Sequence, residues 1–248
     1  MPLIRVGGWR PDPVDARDKP FALVRPALLA VSAEDEHIIP SSVPIMQQGG
    51  LQSCVANGTC DAFELLGAPQ LSRLFVYWNA RRANGDEGSD VGTYVRSAFE
   101  SLRTLGACLE DLHPYDESRV NERPSLFAYE AAYDHRISAY YRIDSFGPAR
   151  ADDVETAIRA NHPVVFGTLV GQSFVDYAGQ DVVWHPATNP IGGHALCIDG
   201  VRRVNGARHF RLRNSWGADW GMGGCAWAAE DWITDVTSQD FWVATAKE

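Results

Sequence analysis

The chain has 248 residues, of which 45% are hydrophobic and 10% aromatic, and its 22 basic against 32 acidic residues give a net charge of −10 at pH 7. This length fits one large domain or two small ones packed together, with enough apolar residues for a sizeable core. An acidic chain without a basic stripe argues against a nucleic-acid or anionic-membrane partner. No apolar run is long enough to predict a transmembrane helix.

The N-terminal region, residues 1–43, is rich in proline, aspartate and arginine and shows no long helical pattern. Its start lacks a basic region followed by a long apolar core, so we expect a cytoplasmic location for the sequence as written. Secretion, or delivery into another cell by a dedicated system, stays open. We expect this region to form an arm with one of two roles. It either packs on the far half of the protein or lies in or near a cleft as a gate, with Trp9 and Phe21 bound in extended form.

Residues 48–57 place a glutamine, two glycines and a Ser-Cys pair ahead of a predicted helix over residues 56–66. A cysteine in the first turn of a helix lies at the positive end of the backbone dipole, which favours the nucleophilic thiolate. The Gln48 side chain and the Cys54 backbone N–H would supply two donors to an oxyanion hole. Taken alone, the stretch fits a buried structural cysteine equally well.

Further helices are predicted in the first half of the chain. Residues 71–82 form one candidate, with Ser72 as a possible N-cap, and residues 93–105 show the apolar spacing of a second. A glycine- and acid-rich loop, residues 84–92, separates them. A short third helix is predicted over residues 125–133.

The second half of the chain turns to β patterns. Residues 163–170 form a continuous apolar run that predicts a strand buried on both faces. Further strands are expected around residues 194–201, 209–213 and 226–227. A short helix over residues 151–158 is expected to carry acids in its first turn.

Two motifs in this half carry further chemistry. His194 lies in a Gly-Gly-His-Ala sequence, and Asn214 begins an Asn-Ser-Trp-Gly sequence that is followed by Trp220 and a glycine. A lone histidine is more often structural than catalytic. A cysteine at a helix start followed by these two motifs in this order, however, resembles the papain-like cysteine peptidases. The resemblance covers about residues 44–241 and is closest to the short bacterial branch of the family.

The resemblance implies an α+β, papain-like fold of two subdomains with the active-site cleft between them. Residues 44–135 would form a mainly helical left half, and residues 136–248 an antiparallel, β-barrel-like right half. Residues 1–43 would precede this domain as an arm, with gating of the cleft as one of its two expected roles.

The resemblance also implies residue roles. Cys54 would be the nucleophile, His194 the general base and Asn214 the residue that orients the histidine, with Gln48 in the oxyanion hole. Trp216 and Trp220 would shield the Asn–His hydrogen bond and line the cleft. The other residues predicted to bind substrate are Gly88, Ser89, Gly193 and Ala195. As an alternative, Gly88 and Ser89 are simply part of a polar turn.

Gln52 departs from the family pattern, which usually has glycine two residues before the cysteine. A side chain there is expected to restrict the substrate range more than the chemistry. The remaining cysteines lie in apolar flanks, so we expect reduced, buried thiols. The other histidines lack metal-ligand spacing, and we expect neither a metal nor a cofactor.

The predicted function is a cysteine endopeptidase that hydrolyses peptide bonds of peptide or protein substrates through a thioester. Two alternatives stay open. An amine instead of water would resolve the thioester in a transamidase or ligase. A catalytically silent member would bind peptides only, and the N-terminal arm is one candidate to fill its cleft.

Overall fold

In a computed structural model, residues 6–25, 35–179, 182–183 and 189–246 are described, and they form a group of helices followed by an antiparallel sheet. The helices are α1 Cys54–Leu65, α2 Arg73–Ala83, α3 Val95–Thr104, α4 Leu126–Ala132, α5 Gly147–Arg159, α6 Gln172–Val175 and α7 Asp231–Thr234. Short 3-10 turns occupy Phe21–Leu23, Glu110–Leu112 and Glu117–Arg119.

Serine caps start two of the predicted helices. The Ser72 hydroxyl accepts from the Phe75 N–H at the start of α2, and the Ser125 hydroxyl accepts from the Ala128 N–H at the start of α4. Each cap satisfies a backbone donor that the first turn leaves unpaired.

Helix α5 differs from its prediction. It begins at Gly147, four residues before the expected start, with a proline in its first turn. Proline fits there because its missing N–H would be unpaired anyway. The acids expected in the first turn, Asp152 and Asp153, therefore lie in the middle of the helix, and that part of the prediction is wrong.

Seven strands form the described sheet. They are β1 Glu36–Ile38, β2 Ala139–Ile143, β3 Val164–Val170, β4 Gly192–Val204, β5 Ala207–Arg213, β6 Cys225–Ala229 and β7 Gln239–Thr245. Their order is β2-β7-β3-β4-β5-β6, with β1 paired to β4, and every pairing is antiparallel. The predicted α+β fold is confirmed. Among the described residues the sheet stays open, so it is barrel-like without closing.

Helix α1 lies between α2 and α3 on one side and the sheet on the other, and every one of its residues is buried. At Gly58 it lies against the sheet, since a Cβ built there would be in ordinary van der Waals contact with Val165 of β3 and Leu196 of β4. Asp61, further along the same helix, forms a 2.6 Å ion pair with Arg213 at the end of β5. Cys54 is thereby held on one wall of the junction between helices and sheet.

The described part of the N-terminal region packs in two places, and its role as a gate stays a prediction. Phe21 is 1% exposed, and the turn that it begins packs against β2, beside a bridge between Pro20 and Arg142. Trp9 instead lies in the cleft, as described below. Residues 36–38 add strand β1 to the sheet, and the proposed boundary at residues 43/44 stays a prediction.

Of the helices in the described residues, none combines the length and apolar character needed to cross a membrane. All five cysteines are free and buried.

Candidate active site

Cys54 is the first residue of α1 and has no exposed surface. The chain reaches it through a turn at Gly49, whose φ of 59° favours glycine. The Cys54 sulfur accepts a hydrogen bond from the Ala195 N–H at 3.4 Å. The sulfur at the helix start therefore lies directly against strand β4, beside His194.

The His194 ring is held by two neighbours. Its Nε2 is 2.8 Å from Asn214 Oδ1, and the Trp216 ring stacks on it with centroids 4.7 Å apart. Asn214 Oδ1 also accepts from the Ser215 N–H at 2.8 Å, which identifies that atom as the oxygen and Nε2 as the donor. The other ring nitrogen, Nδ1, is buried and has no hydrogen-bond partner among the described residues. Its lone pair is therefore the one left to accept a proton.

The Gln48 amide is fixed by two contacts. Its Oε1 accepts from the Ser215 hydroxyl at 2.7 Å, and its Nε2 donates to the Leu51 carbonyl at 2.9 Å. The Tyr115 hydroxyl donates to the Gln48 backbone carbonyl at 2.9 Å and lies 2.5 Å from the Ser53 hydroxyl. The contacts with Ser215 and Leu51 identify Nε2 as the donor end of the amide. The contacts of Tyr115 hold Gln48 close to the start of α1.

Burial keeps both reactive groups neutral in this state. It raises the pKa of the Cys54 thiol to about 12, and N–H groups of Ala195, Val55 and Gly8 that hydrogen bond to the sulfur oppose the shift. It also lowers the pKa of His194 to about 4, against the opposing hydrogen bond to Asn214. Desolvation disfavours the charged form of each group. At pH 7 the structure therefore holds a thiol and a neutral imidazole.

The N-terminal arm lies across the sulfur in extended form. A Cβ built on Gly8 would be 2.8 Å from Cys54 Sγ and would overlap the Gln52 carbonyl. The Gly7 N–H donates to the Gly193 carbonyl at 2.8 Å. On the opposite wall, Thr93 donates to the Gly8 carbonyl at 3.0 Å and accepts from the Arg10 N–H at 3.1 Å. The arm thus bridges both walls of the cleft.

Trp9 fills a slot next to the contact between Gly8 and the Cys54 sulfur, and it is 6% exposed. A Cβ on Gly167 would overlap the indole ring, and a Cβ on Gly193 would lie 2.9 Å from it. At the end of the slot, the indole N–H donates to Asp240 Oδ2 at 3.1 Å. Arg10, the next residue, forms a 2.5 Å ion pair with Asp86.

The structure brings Cys54, His194, Asn214 and Gln48 together at one cleft, and their roles stay predictions. Among the predicted binding residues, Gly193 contacts the arm and Ala195 contacts the sulfur, as described above. Trp216 and Trp220 are buried, with rings 5.5 Å apart and nearly perpendicular. Of the two, Trp216 is the one that stacks on His194, and shielding of the Asn–His hydrogen bond by this pair stays a prediction.

Gly88 and Ser89 lie in the predicted loop, but the arm pairs with residues further along it. A Cβ on Gly92 would overlap the Gly8 carbonyl, and Thr93 makes the backbone hydrogen bonds. Substrate contact at Gly88 and Ser89 stays a prediction. Gln52 is tied to this wall, since its side chain donates to the Asp90 carbonyl at 2.8 Å.

Sequence patterns did not indicate Tyr115, Ser215 or Asp240 as site residues. Ser215 lies inside the recognised Asn-Ser-Trp-Gly motif, so its position was visible although its contact with Gln48 was not. Asp240 gave no local signal. Among the described residues, no group of three or more histidine, cysteine or acidic side chains is arranged to hold a metal ion.

Known proteins of similar sequence support the predicted family resemblance. The profile described as papain family cysteine protease matches residues 43–239. An uncharacterized peptidase C1-like protein of Acanthamoeba polyphaga mimivirus is 30% identical over 221 residues, which cover 83% of this chain and 70% of that protein. Cysteine proteinase 3 of Dictyostelium discoideum is 26% identical, and the matched part is 73% of this chain but 53% of that protein.

Solved structures of similar fold point to the same family. Xylellain, a cysteine protease from Xylella fastidiosa, superposes with a TM-score of 0.84 at 27% identity over 100% of both chains. This match confirms the predicted resemblance to the short bacterial branch. The bromelain protease from Ananas comosus, at 19% identity and a TM-score of 0.66, covers 87% of this chain and 100% of its own and shares the fold. The chain therefore belongs to the papain family of cysteine proteases and is a hydrolase of that family.

Proposed function

We propose that this protein is a cysteine endopeptidase that cleaves peptide bonds through a thioester and is kept latent by its N-terminal arm. The observation that carries the proposal is the oriented histidine. His194 Nε2 is committed to Asn214 under the Trp216 ring, and Nδ1 has no partner among the described residues. The next residue, Ala195, donates its N–H to the sulfur of a cysteine at a helix start, in a cleft that already holds an extended peptide.

In the proposed reaction, His194 Nδ1 takes the Cys54 proton and the thiolate attacks the substrate carbonyl carbon. The oxyanion lies between the Cys54 N–H and the Gln48 side-chain amide, each donor worth roughly 3 kcal/mol of barrier. The C–N bond breaks as His194 protonates the leaving amine, and an acyl thioester remains. Water, deprotonated by His194, then releases the acid and restores the thiol.

The arm occupies this site without presenting a bond for cleavage. At the sulfur it offers the Gly8 N–H, which hydrogen bonds to Sγ, while the Gly8 carbonyl accepts from Thr93 on the opposite wall. A nucleophile needs the carbonyl carbon, so this pose is inhibitory. Displacing the arm would readmit water to Cys54 and His194 and remove the main cause of their pKa shifts.

The buried, neutral sulfur also fits a second candidate, a silent module that only binds peptides. Peptide hydrolysis after the Trp9 side chain is removed distinguishes the peptidase from the silent module. With Trp9→Ala in the full chain, we expect hydrolysis of a quenched fluorescent peptide and a mass increase from one epoxide-type thiol inhibitor per chain. Adding Cys54→Ala should abolish both. Cys60→Ala, a buried cysteine of the same helix, is the matched control and should retain both.

Persistent hydrolysis after Cys54→Ala would reject the nucleophile assignment. Absence of both hydrolysis and inhibitor capture in the Trp9→Ala chain would favour the silent module. Product masses with and without an added amine then show whether water or an amine resolves the thioester, since a transamidase would yield the amide product.

A further inference from the structure

Tyr115 joins the two segments that carry the proposed oxyanion donors. Its hydroxyl lies 2.9 Å from the Gln48 backbone carbonyl and 2.5 Å from the Ser53 hydroxyl. Gln48 carries one donor on its side chain, and Ser53 immediately precedes Cys54, whose backbone N–H is the other. Tyr115 itself comes from a separate part of the chain, 62 residues beyond Ser53.

The direction of each hydrogen bond around Tyr115 follows from the chemistry of its partners. A backbone carbonyl only accepts, so Tyr115 donates its single hydroxyl proton to Gln48. The Tyr115 oxygen therefore accepts from the Ser53 hydroxyl. Ser53 Oγ in turn accepts from Asn57 Nδ2 at 3.0 Å, so each of the two hydroxyl groups donates once and accepts once.

A guanidinium group begins this chain of donors. Arg73 Nη1 donates to Asn57 Oδ1 at 3.2 Å, which identifies that atom as the oxygen, since arginine only donates. Arg73 also donates to the Gln47 carbonyl at 3.2 Å, and its guanidinium carbon lies 4.0 Å from the centre of the Tyr115 ring. Glu110 fixes both ends, since it pairs with Arg73 at 3.1 Å and accepts from the Tyr115 N–H at 2.8 Å. The directed hydrogen bonds run in order through Arg73, Asn57, Ser53, Tyr115 and Gln48.

Burial holds this chain of donors in one arrangement. Ser53 and Asn57 have no exposed surface, and Arg73 is 7% exposed. Breaking one of these bonds would leave a buried polar atom without that partner, which is costly. Hydrogen bonds that share a direction also polarise and strengthen one another.

The same group of residues orients the Cys54 N–H. That N–H and the Ser53 carbonyl belong to one planar peptide unit. The Ser53 carbonyl accepts from the Asn57 N–H and from Asn57 Nδ2, both at 3.0 Å, so the plane is held from its carbonyl side. The hydroxyl of Tyr115 then links this peptide unit to the backbone of Gln48.

We propose that Tyr115 is a positioning residue, whose hydroxyl sets the Gln48 amide at a fixed place relative to the Cys54 N–H. The inference rests on the proposed function, because it concerns the oxyanion hole of the same reaction. The one Tyr115 hydroxyl proton is committed to Gln48, so Tyr115 acts through the two donors and not as a donor to the substrate.

The kinetic test is Tyr115→Phe, which removes only the hydroxyl, in the chain with Trp9→Ala. The Gln48 carbonyl then keeps its 3.4 Å contact with the Leu51 N–H but loses the tyrosine. We expect kcat for a quenched fluorescent peptide to fall about tenfold with KM nearly unchanged, because displaced donors weaken binding of the transition state.

The matched control is Tyr129→Phe. The Tyr129 hydroxyl makes a comparable 2.7 Å hydrogen bond to Asn79 on α2, outside the chain of donors. Both variants should lower the melting temperature by similar amounts, but Tyr129→Phe should leave kcat and KM unchanged. A difference in kcat between them therefore reports the position of the donors and not the stability of the fold.

A double-mutant cycle shows whether Tyr115 acts through Gln48. In a Gln48→Ala background, Tyr115→Phe should lower kcat by less than about threefold, because the amide that it positions is absent. An equal tenfold loss in both backgrounds overturns the inference. An unchanged kcat for Tyr115→Phe with Gln48 present overturns it as well.

Hydrogen exchange of the Gln48 side-chain amide decides the inference without catalysis. The Trp9→Ala chain would carry nitrogen-15 glutamine, and the Gln48 resonance is the one that disappears in Gln48→Ala. Its protons should exchange at least about threefold faster with Tyr115→Phe than with Tyr129→Phe, since a loosened segment opens more often. Equal exchange rates overturn the inference. Faster exchange in a chain that hydrolyses no peptide would instead reject the proposed function and leave the contact of Tyr115 with Gln48 as the positioning contact.

Discussion

Single side chains around the cleft set both the orientation and the charge of the reactive groups. His194 receives its tautomer from Asn214, and Gln48 receives its amide orientation from Ser215, the next residue in the chain. One short segment at the end of β5 thus positions both the proposed base and the proposed oxyanion donor.

Ser215→Ala tests the link to Gln48. Without the hydroxyl, Gln48 Oε1 loses this donor in a buried position, and the amide orientation is held less firmly although its contact with Leu51 remains. We expect kcat to fall by roughly tenfold, below the 10²–10³-fold cost of removing a whole oxyanion donor. KM should change little, because the contact acts on the transition state. Steady-state kinetics in the Trp9→Ala chain would measure both constants.

Ser101→Ala provides the matched control for that substitution. The Ser101 hydroxyl is buried on α3 without a hydrogen-bond partner among the described residues, so its removal should leave both constants unchanged. A rise in KM with constant kcat in Ser215→Ala would contradict the positioning role.

At the scale of elements, the arm is held by backbone pairing and by shape rather than by a folded unit of its own. Gly8 is the critical position, since its Cβ would meet the Gln52 carbonyl and the Cys54 sulfur. Gly8→Ala should therefore destabilise the closed arm by about 1–3 kcal/mol, the usual cost of overpacking. The initial rate of peptide hydrolysis by the full chain should rise roughly 5- to 100-fold.

The control for Gly8→Ala is Val14→Ala, because Val14 lies in the same arm and is 100% exposed. It should leave the rate unchanged. A Gly8→Ala chain that is as latent as the parent, with unchanged thermal stability, would show that the arm does not gate the cleft.

The arm is also expected to respond to pH. In the closed state, burial and then repulsion from Asp240 raise the pKa of Asp12 to about 7, against opposing contacts with Trp242 and Arg96. Asp12 therefore stabilises the closed arm fully below pH 3.8, the ordinary pKa of its carboxyl group. This contribution is lost as the pH rises through 7. His194 contributes in the opposite direction. Because its pKa is lowered in the closed state, its stabilisation of the closed arm is lost as the pH falls from 6.5 through 4.

Between about pH 4 and 6.5 the two groups offset each other, and between 6.5 and 7 only the loss from Asp12 continues. Above about pH 7 both contributions are constant, so we expect arm mobility to stay level below pH 6.5, to rise as the pH passes 7, and to level off above it. A dye on Val14→Cys in a Cys54→Ala chain would report it by fluorescence anisotropy, since the other cysteines are buried. Asp12→Asn should abolish the rise near pH 7, and an unchanged profile in that variant would refute the assignment.

Local signals predicted several of the helices. A candidate cap at Ser72 indicated α2 and apolar spacing indicated α3, and short motifs contained Cys54, His194 and Asn214, whose roles stay predictions. The slot could not be predicted in this way, because Trp9 and Asp240 are 231 residues apart in the chain. Strand β7, which carries Asp240, was missed because a short apolar run does not distinguish strand from buried helix.

For the whole molecule, function requires the helical wall with Cys54 to keep its register against the sheet wall with Asn214. The Asp61–Arg213 ion pair joins these walls, since Asp61 lies on the Cys54 helix and Arg213 immediately precedes Asn214. Both side chains are about 95% buried. Arg213 also donates to the backbone carbonyls of Val43 and Pro44, at the end of the arm region.

Asp61→Asn keeps the volume of the side chain but leaves the Arg213 charge buried without a counter-ion. Breaking a buried pair from one side costs about 3–5 kcal/mol, and we expect the lower end because Arg213 retains its two carbonyl acceptors. Urea unfolding followed by tryptophan fluorescence would measure the loss. Glu122→Gln removes one partner of an exposed pair with Arg119 and should leave the midpoint unchanged. If Asp61→Asn unfolds at the parent midpoint and retains full kcat, the two walls are held in register by apolar packing of α1 on β3 and β4, and the ion pair is dispensable.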